Sequence, residues 1–152
     1  MQIYDKGGNL LASSNPPESR IFDDMVIRNA FLAGKELEGI SFDGSDLRSS
    51  DFSGADLYGA ILSDCRFDLC ILAGADLRSS FLNNVSFCNA DLRGARFSRD
   101  NMNMGLNIWN VNFAGADLAG ADFTGAIYDE LTIFPRGFIP EEHGLSPEVK
   151  VD

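Results

Sequence analysis

The chain has 152 residues, of which 45% are hydrophobic, and this composition suits one compact domain with an ordinary core. Its formal net charge of −11 disfavours direct binding to nucleic acid or to an anionic membrane, because both require a basic patch. Residues 1–6 do not resemble a secretory leader, and no apolar run approaches the length of a membrane span. The sequence therefore predicts a soluble, cytoplasmic protein.

The first twenty residues precede the regular part of the chain and predict a small hairpin. Gln2–Tyr4 and Leu10–Leu11 supply two short apolar segments, and Lys6-Gly7-Gly8 supplies the turn between them. Asn15-Pro16-Pro17 then interrupts regular structure. We expect residues 1–20 to form an N-terminal cap or a docking strand.

A repeat with a period of five residues begins at Phe22 and overrides local propensity. An apolar residue occupies the centre of seventeen consecutive units: Phe22, Ile27, Leu32, Leu37, Phe42, Leu47, Phe52, Leu57, Leu62, Phe67, Leu72, Leu77, Leu82, Phe87, Leu92, Phe97 and Met102. A small or apolar residue usually stands two positions before each centre, so two positions in five are predicted to be buried.

Glycine or asparagine frequently stands two positions after the centre, where a tight corner with positive φ favours these residues. The predicted corner residues are Asn29, Gly34, Gly39, Gly44, Gly54, Gly59, Gly74, Asn84, Asn89, Gly94, Asn110, Gly115, Gly120 and Gly125. Each unit is thus predicted to be a short extended segment followed by a corner.

Several units, such as Ala55–Gly59, Ala90–Gly94 and Ala116–Gly120, resemble the A(D/N)LXX signature of pentapeptide-repeat proteins. The resemblance covers roughly residues 20–128. It implies an all-β fold, a right-handed quadrilateral parallel β-helix of about five coils over residues 21–128. Residue i+20 would then lie over residue i at about 4.8 Å.

The frame of the repeat weakens between Ser98 and Gly105. Asp100 stands where a small buried residue is expected, and the pattern resumes one position late at Ile108, as if one residue were inserted. We expect a bulge or loop at 99–105, and the sequence leaves open whether it has a function or is tolerated drift.

The last segment, residues 129–152, is predicted to be a C-terminal cap and tail. Residues 132–140 resemble the T-x-F-P-x-G-F-x-P tail of many bacterial, notably cyanobacterial, members, whose aromatic residues would close the core. Pro140 favours the start of a short helix, and Gly144 would end it. We expect residues 146–152 to be mobile.

No catalytic site, cofactor site or metal site is predicted. Cys65, Cys70 and Cys88 lack CxxC spacing and are expected to be free thiols, with the first two acting as small interior fillers and Cys88 facing outward. The single histidine, His143, lies outside the repeat. The repeated aspartates belong to the repeat signature and do not mark a catalytic pair.

Large apolar residues occupy outward positions where the signature expects a polar one, and they are our candidate interaction surface. Stacking every twentieth residue places Ile21, Ile61 and Phe81 on one side of the coil and Phe31 with Ile71 on another. The sequence leaves open whether the N-terminal segment covers them or a partner binds them. With one further aromatic, the candidates are Ile21, Ile61, Phe81, Phe31, Ile71 and Trp109.

These features predict a non-enzymatic scaffold, monomeric or homodimeric, that binds a protein partner. The alternative is a DNA mimic that binds type II topoisomerase, which the resemblance and the negative charge suggest. Residues 22–128 hold fifteen acids against eight bases, yet stacking should place Asp46 below Arg66, Arg48 below Asp68 and Asp76 below Arg96. Such alternation disfavours the mimic, since a mimic needs a continuous acidic stripe.

Overall fold

The computed structural model describes residues 1–100 and 106–149. From Ile21 onward, the chain returns beside itself every twenty residues through isolated parallel bridges, such as those joining Ile21 to Ser41 and Val26 to Asp46. Regular strands are few and short because each extended segment is interrupted by a corner. The predicted spacing of twenty residues per coil is confirmed over the first four coils.

Backbone hydrogen bonds join each coil to the next. The N–H of Leu47 donates to the carbonyl of Arg66 in the following coil at 2.9 Å, and the N–H of Asp46 donates to Met25 in the preceding coil at 2.8 Å. An extended segment of an inner coil is therefore hydrogen-bonded on both sides, as the inner strands of a parallel sheet are.

The corners are tight turns with the predicted residues at their strained position. The N–H of Ala55 donates to the carbonyl of Phe52 at 2.9 Å, and Gly54 between them has φ +62°. A type II turn requires positive φ at this point. All fourteen predicted glycines and asparagines have positive φ, and five further corners use Asp24, Ser49, Asp64, Leu69 and Ser79.

Four stacks of central residues fill the interior, and we number the four faces of the coil by them. The first face has Phe22, Phe42, Leu62, Leu82 and Ile108, the second Ile27, Leu47, Phe67, Phe87 and Phe113, the third Leu32, Phe52, Leu72, Leu92 and Leu118, and the fourth Leu37, Leu57, Leu77, Phe97 and Phe123. None of these side chains is more than 6% exposed. Their stacking, five deep on every face, makes the interior one continuous apolar core.

The interruption of the repeat is larger than we expected. The bridge between Ser86 and Asn112 spans 26 residues, whereas a one-residue insertion would give 21. The prediction of one inserted residue is therefore wrong, and Ile108 continues the first-face stack above Leu82. Met102 and most of the expected loop lie outside the described residues.

The N-terminal hairpin is confirmed. Strand β1 (Gln2–Tyr4) pairs antiparallel with β2 (Leu10–Ser13). The N–H of Phe31 donates to the carbonyl of Tyr4 at 2.8 Å, and Ile3 is fully buried. The hairpin thus packs its apolar side on the first coil.

At the other end of the coil, a three-stranded parallel sheet has the order β3 (Asn107–Ile108), β4 (Ile127–Tyr128) and β5 (Ser146–Pro147). The expectation that the tail is mobile from residue 146 is wrong for β5. The N–H of Ser146 donates to Ala126 at 3.0 Å, because the coil edge offers unpaired carbonyls.

Aromatic residues of the C-terminal segment extend the interior stacks, as predicted. Phe134 stacks on Phe113 at 5.8 Å between centroids, and Phe138 stacks on Phe134 at 5.2 Å. A short 3₁₀ helix, Pro140–His143, ends at Gly144, where φ is +80°. No helix in the described part of the chain is long and apolar enough to cross a membrane.

Candidate protein-interaction surface

The first face combines exposed apolar side chains with acids. In the column before the central residues, Ile21, Ile61 and Phe81 are 57%, 41% and 58% exposed. In the column after them, Asp23 and Asp43 follow the central phenylalanines of the first two coils. Neither column, nor the corner positions that follow, contains a lysine or an arginine between residues 21 and 130. This face is therefore both apolar and purely acidic.

Phe81 and Trp109 line one cavity of the first face. The cavity has a volume of about 310 Å³, and Asn83 and Asn107 also contribute to its wall. Trp109 is half-buried, and its indole Nε1 is buried without a hydrogen-bond acceptor among the described residues. The structure thus brings Trp109, a predicted candidate, beside the exposed Phe81.

The N-terminal hairpin lies beside a different part of the predicted surface. Lys6 Nζ lies 5.4 Å from the centroid of the Phe31 ring and 3.1 Å from the carboxylate of Asp51. Ile71 lines a neighbouring cavity together with Asp5 and Lys6. The hairpin therefore lies beside Phe31 and Ile71 but does not bury them, since they remain 42% and 41% exposed, and Ile61 and Phe81 are exposed as well. Cover of these two by the N-terminal segment is not observed.

The other faces pair their charges, mostly within one segment. Asp46 accepts hydrogen bonds from Arg48, with Nη2 at 2.7 Å, and from Arg28. Residues two apart in an extended segment point to the same side, so position i pairs with i+2. The same arrangement joins Arg78 to Asp76 at 2.6 Å. Hydrogen bonds from Arg48 hold the pKa of Asp46 well below its ordinary value.

The expected pairing between coils is only partly correct. Arg96 lies 3.2 Å from Asp76 in the coil below, as predicted. Asp46 does lie below Arg66, but the carboxylate of Asp46 forms its ion pairs with Arg28 and Arg48. Arg66 pairs with Asp68 instead.

Four acids of the first face have no such partners. Asp23, Asp24, Asp43 and Asp64 form no ion pair with any other described residue. Partial burial raises the pKa of Asp43, and the neighbouring carboxylates of Asp23, Asp64 and Asp24 raise it further. This face thus holds negative charge that the protein itself does not neutralise.

The thiols and the histidine show no arrangement for chemistry. Burial raises the pKa of Cys65 and of Cys70 to about 12, and both thiols donate to interior carbonyls, which makes them unreactive fillers. Cys88 is half-buried. His143 stacks on Phe138 at 4.2 Å. Within residues 1–100 and 106–149, no three potential ligands come together to hold a metal ion.

Comparison with known proteins identifies relatives of the repeat. A family model described as pentapeptide repeats matches residues 28–68, 70–102 and 105–127 in eight copies. No curated protein sequence matches the chain. A pentapeptide repeat protein from the thylakoid lumen of Arabidopsis thaliana is 18% identical, with a TM-score of 0.50, over 78% of this chain and 72% of its own.

Two further solved structures have lower TM-scores. A pentapeptide repeat protein from Nostoc PCC 7120 is 28% identical, with a TM-score of 0.44, over 75% of this chain and 85% of its own. A trypsin-treated form of QnrB1, a plasmid-mediated fluoroquinolone resistance protein, is 17% identical, with a TM-score of 0.40, over 84% of this chain and 85% of its own.

Proposed function

Because the chain belongs to the pentapeptide repeat family, we propose that it is a non-enzymatic scaffold that binds a protein partner through its first face. One observation carries this proposal. Ile61 and Phe81 remain 41% and 58% exposed in the column that holds ion-paired aspartates, such as Asp46 and Asp76, on other faces. Contiguous exposed apolar groups of this kind mark interaction sites.

The proposed scaffold is a right-handed quadrilateral β-helix spanning residues 21–128, with caps at 1–20 and 129–152. Parallel bridges every twenty residues and a positive-φ corner in each unit of five support this shape. A helix closed in this way is stabilised by contacts between neighbouring coils, so its outward columns are held at fixed spacings. Three free thiols favour a reducing compartment, and we place the protein in the cytoplasm.

The proposed contact residues are Ile21, Ile61, Phe81 and Trp109. Phe31 and Ile71 lie beside the hairpin and are assigned to the contact with the N-terminal cap.

The test replaces the exposed apolar residues and measures partner capture. Ile61→Asp and Phe81→Asp should abolish capture of the partner from a lysate of the source organism while far-UV circular dichroism stays unchanged. Val26→Asp is the matched control, because Val26 is 69% exposed in the equivalent column of the second face. Equal capture by all variants would dispose of the proposal.

A second candidate function is the DNA mimic that binds type II topoisomerase. The unpaired acids of the first face favour it, whereas the ion pairs of the second and fourth faces interrupt any acidic stripe there. A DNA gyrase supercoiling assay tests it directly. An absence of both inhibition and protection at micromolar protein would eliminate this candidate.

A further inference from the structure

We propose that the first face recognises a segment of another protein in which a large apolar side chain stands next to lysine or arginine. The apolar side chain would enter the cavity between Phe81 and Trp109, and the basic group would lie against Asp43 and Asp64. This inference rests on the proposed function, because it names the chemistry of the partner at the same surface.

The apolar half of the site is a cavity with an exposed aromatic wall. Its volume of about 310 Å³ lies at the lower end of the range of ligand pockets, about 300–1,000 Å³. That size suits one large side chain rather than a free cofactor. Ile61 lies one coil below Phe81 and extends the apolar surface beyond the cavity. A segment with one anchoring residue and an adjacent aliphatic residue therefore matches this column.

The acidic half lies in the adjacent column and corner of the same face. Neither Asp43 nor Asp64 forms an ion pair with a described residue, and the Asp64 carboxylate accepts a hydrogen bond from the amide of Asn84 at 3.0 Å. On the second face, by contrast, Asp46 has two arginines within reach. Because no described residue forms an ion pair with Asp43 or Asp64, charge complementarity favours a partner that supplies a cation.

The electrostatic environment of Asp43 also favours a basic partner. Its pKa is raised by partial burial and by the carboxylates of Asp23, Asp64 and Asp24. Such crowding of like charges is unfavourable in the free protein, and a bound ammonium or guanidinium group relieves it. The acids and the apolar column are independent features, and together they define a basic and apolar partner.

The second face of another copy of this chain is a poorer occupant. It carries three arginines in outward positions, but Arg28 and Arg48 already bind Asp46, and Arg66 binds Asp68 at 3.2 Å. To use them, the copy would have to break its own ion pairs. A different protein with unpaired bases avoids that cost.

The experiment selects ligands from a displayed library of random twelve-residue peptides on the full chain, and then measures their binding by fluorescence anisotropy. We expect the selected peptides to combine a large apolar residue with lysine or arginine. Phe81→Ser and the double variant Asp43→Asn/Asp64→Asn should each weaken binding by about tenfold or more. Raising the salt concentration should weaken binding to the wild-type protein more than to the double variant.

Matched controls remove the same groups from other faces. Glu38→Gln/Asp117→Asn removes two exposed charges, and Val26→Ser removes an exposed apolar side chain. Both controls should bind the selected peptides as the wild type does. Far-UV circular dichroism and urea denaturation verify that every variant is folded.

The outcomes separate this inference from the proposed function. Binding that needs Phe81 but is unaffected by Asp43→Asn/Asp64→Asn would overturn the inference and leave the scaffold function intact. Selected peptides without basic residues would have the same effect. Concentration-dependent dimers in sedimentation, abolished by Phe81→Ser, would show a second copy as the occupant and also overturn it. Peptides that bind Phe81→Ser as well as wild type would contradict both.

Discussion

The first and second faces of the coil have the same backbone and the same spacing but opposite surface chemistry. On the second face, Asp46 binds Arg28 and Arg48, and Arg66 binds Asp68. On the first face, the column equivalent to that of Asp46 and Arg66 holds Ile61 and Phe81, and no base accompanies the acids. The repeat therefore constrains the interior of the coil and leaves each outward column free to carry its own chemistry.

This difference separates residues that maintain the fold from residues that are available for binding. An ion-paired column has its polar groups satisfied within the protein, so a partner would have to displace those contacts. The apolar and acidic columns of the first face lack such ion pairs, so a partner can bind them without displacing contacts within the protein. Comparable substitutions on the two faces should therefore differ in their effects on stability.

The largest expected effect compares two phenylalanines six residues apart. Phe87 is fully buried on the second face, stacked at 5.4 Å from Phe67 and 5.5 Å from Phe113, whereas Phe81 is exposed on the first. Phe87→Ala should lower the free energy of unfolding by about 3–5 kcal/mol, because it leaves a cavity. Phe81→Ala should lower it by less than about 1 kcal/mol. Urea denaturation checks both, and equal costs would contradict the assignment of inside and outside.

The next effect concerns the ion pairs of the second face. Asp46→Asn should lower the free energy of unfolding by about 1–2 kcal/mol, because the 14% exposed carboxylate loses its charge toward Arg28 and Arg48. Asp117→Asn is the control, since Asp117 is 56% exposed and its ion pair is a long one, 3.8 Å from Arg93. The control should change stability by less than about 0.5 kcal/mol. A control as costly as Asp46→Asn would show that the pairing itself is unimportant.

The same pair predicts a dependence on pH. The pKa of Asp46 is lower in the folded protein than its ordinary value of 3.8, so its stabilisation is present above about pH 4 and is lost as the pH falls through lower values. The stability difference between wild type and Asp46→Asn should therefore be smaller at about pH 2.5 than at about pH 7. Urea denaturation at both pH values measures it, and a constant difference would refute the charge assignment.

Much of the interior was predictable from the sequence, and the interruption was not. Every centre from Phe22 to Phe97 follows from the five-residue period, because each corner restarts the same extended segment. Met102 also fits that period, and the sequence therefore predicts it to be a central residue of the repeat. The 26-residue spacing, however, places Ile108 over Leu82. Two features of the sequence indicated a change: the frame that resumes one position late at Ile108, and Asp100, which accepts hydrogen bonds from Tyr58 and Ser79.

The outer surface was predictable in composition but not in pairing. The period places Asp46 beneath Arg66. It does not predict which of several nearby arginines forms an ion pair with Asp46, because a long arginine side chain can adopt several rotamers. The exposure of Ile61 and Phe81 depended on where the hairpin lies. The sequence places Asp43 and Asp64 near this column, but only the structure shows that neither forms an ion pair with a described residue.

A smaller effect is expected at Leu69, a corner of the second face. Leu69 has φ +61° and is 61% exposed, so it adopts a left-handed conformation with little burial in return. Leu69→Asn should raise the free energy of unfolding by about 0.5–1 kcal/mol, because asparagine tolerates this conformation better. The reciprocal control, Asn89→Leu, changes the corresponding corner one coil further, where φ is +56°, and should lower stability similarly. Changes of the same sign in both variants would contradict this explanation.

The smallest expected effect is that of Asp43→Asn on the first face, and its sign is opposite to that of Asp46→Asn on the second face. Asp43→Asn should raise the free energy of unfolding by a few tenths of a kcal/mol, roughly the size of a like-charge contact, since it removes the cost of partly burying a charge and the repulsion from Asp23, Asp64 and Asp24. The pKa of Asp43 is raised in the folded state, so its ionised form is destabilising at neutral pH. That penalty disappears as the pH falls through the raised value and below 3.8.

The advantage of Asp43→Asn should therefore be present at about pH 7 and absent at about pH 3, when each is compared with the wild type by urea denaturation. Glu38→Gln on the fourth face serves as the control for loss of one exposed acid. A loss of stability in Asp43→Asn at neutral pH would mean that Asp43 has a stabilising partner within the protein. The first face would then resemble the second, and its unpaired acids would no longer favour a basic partner.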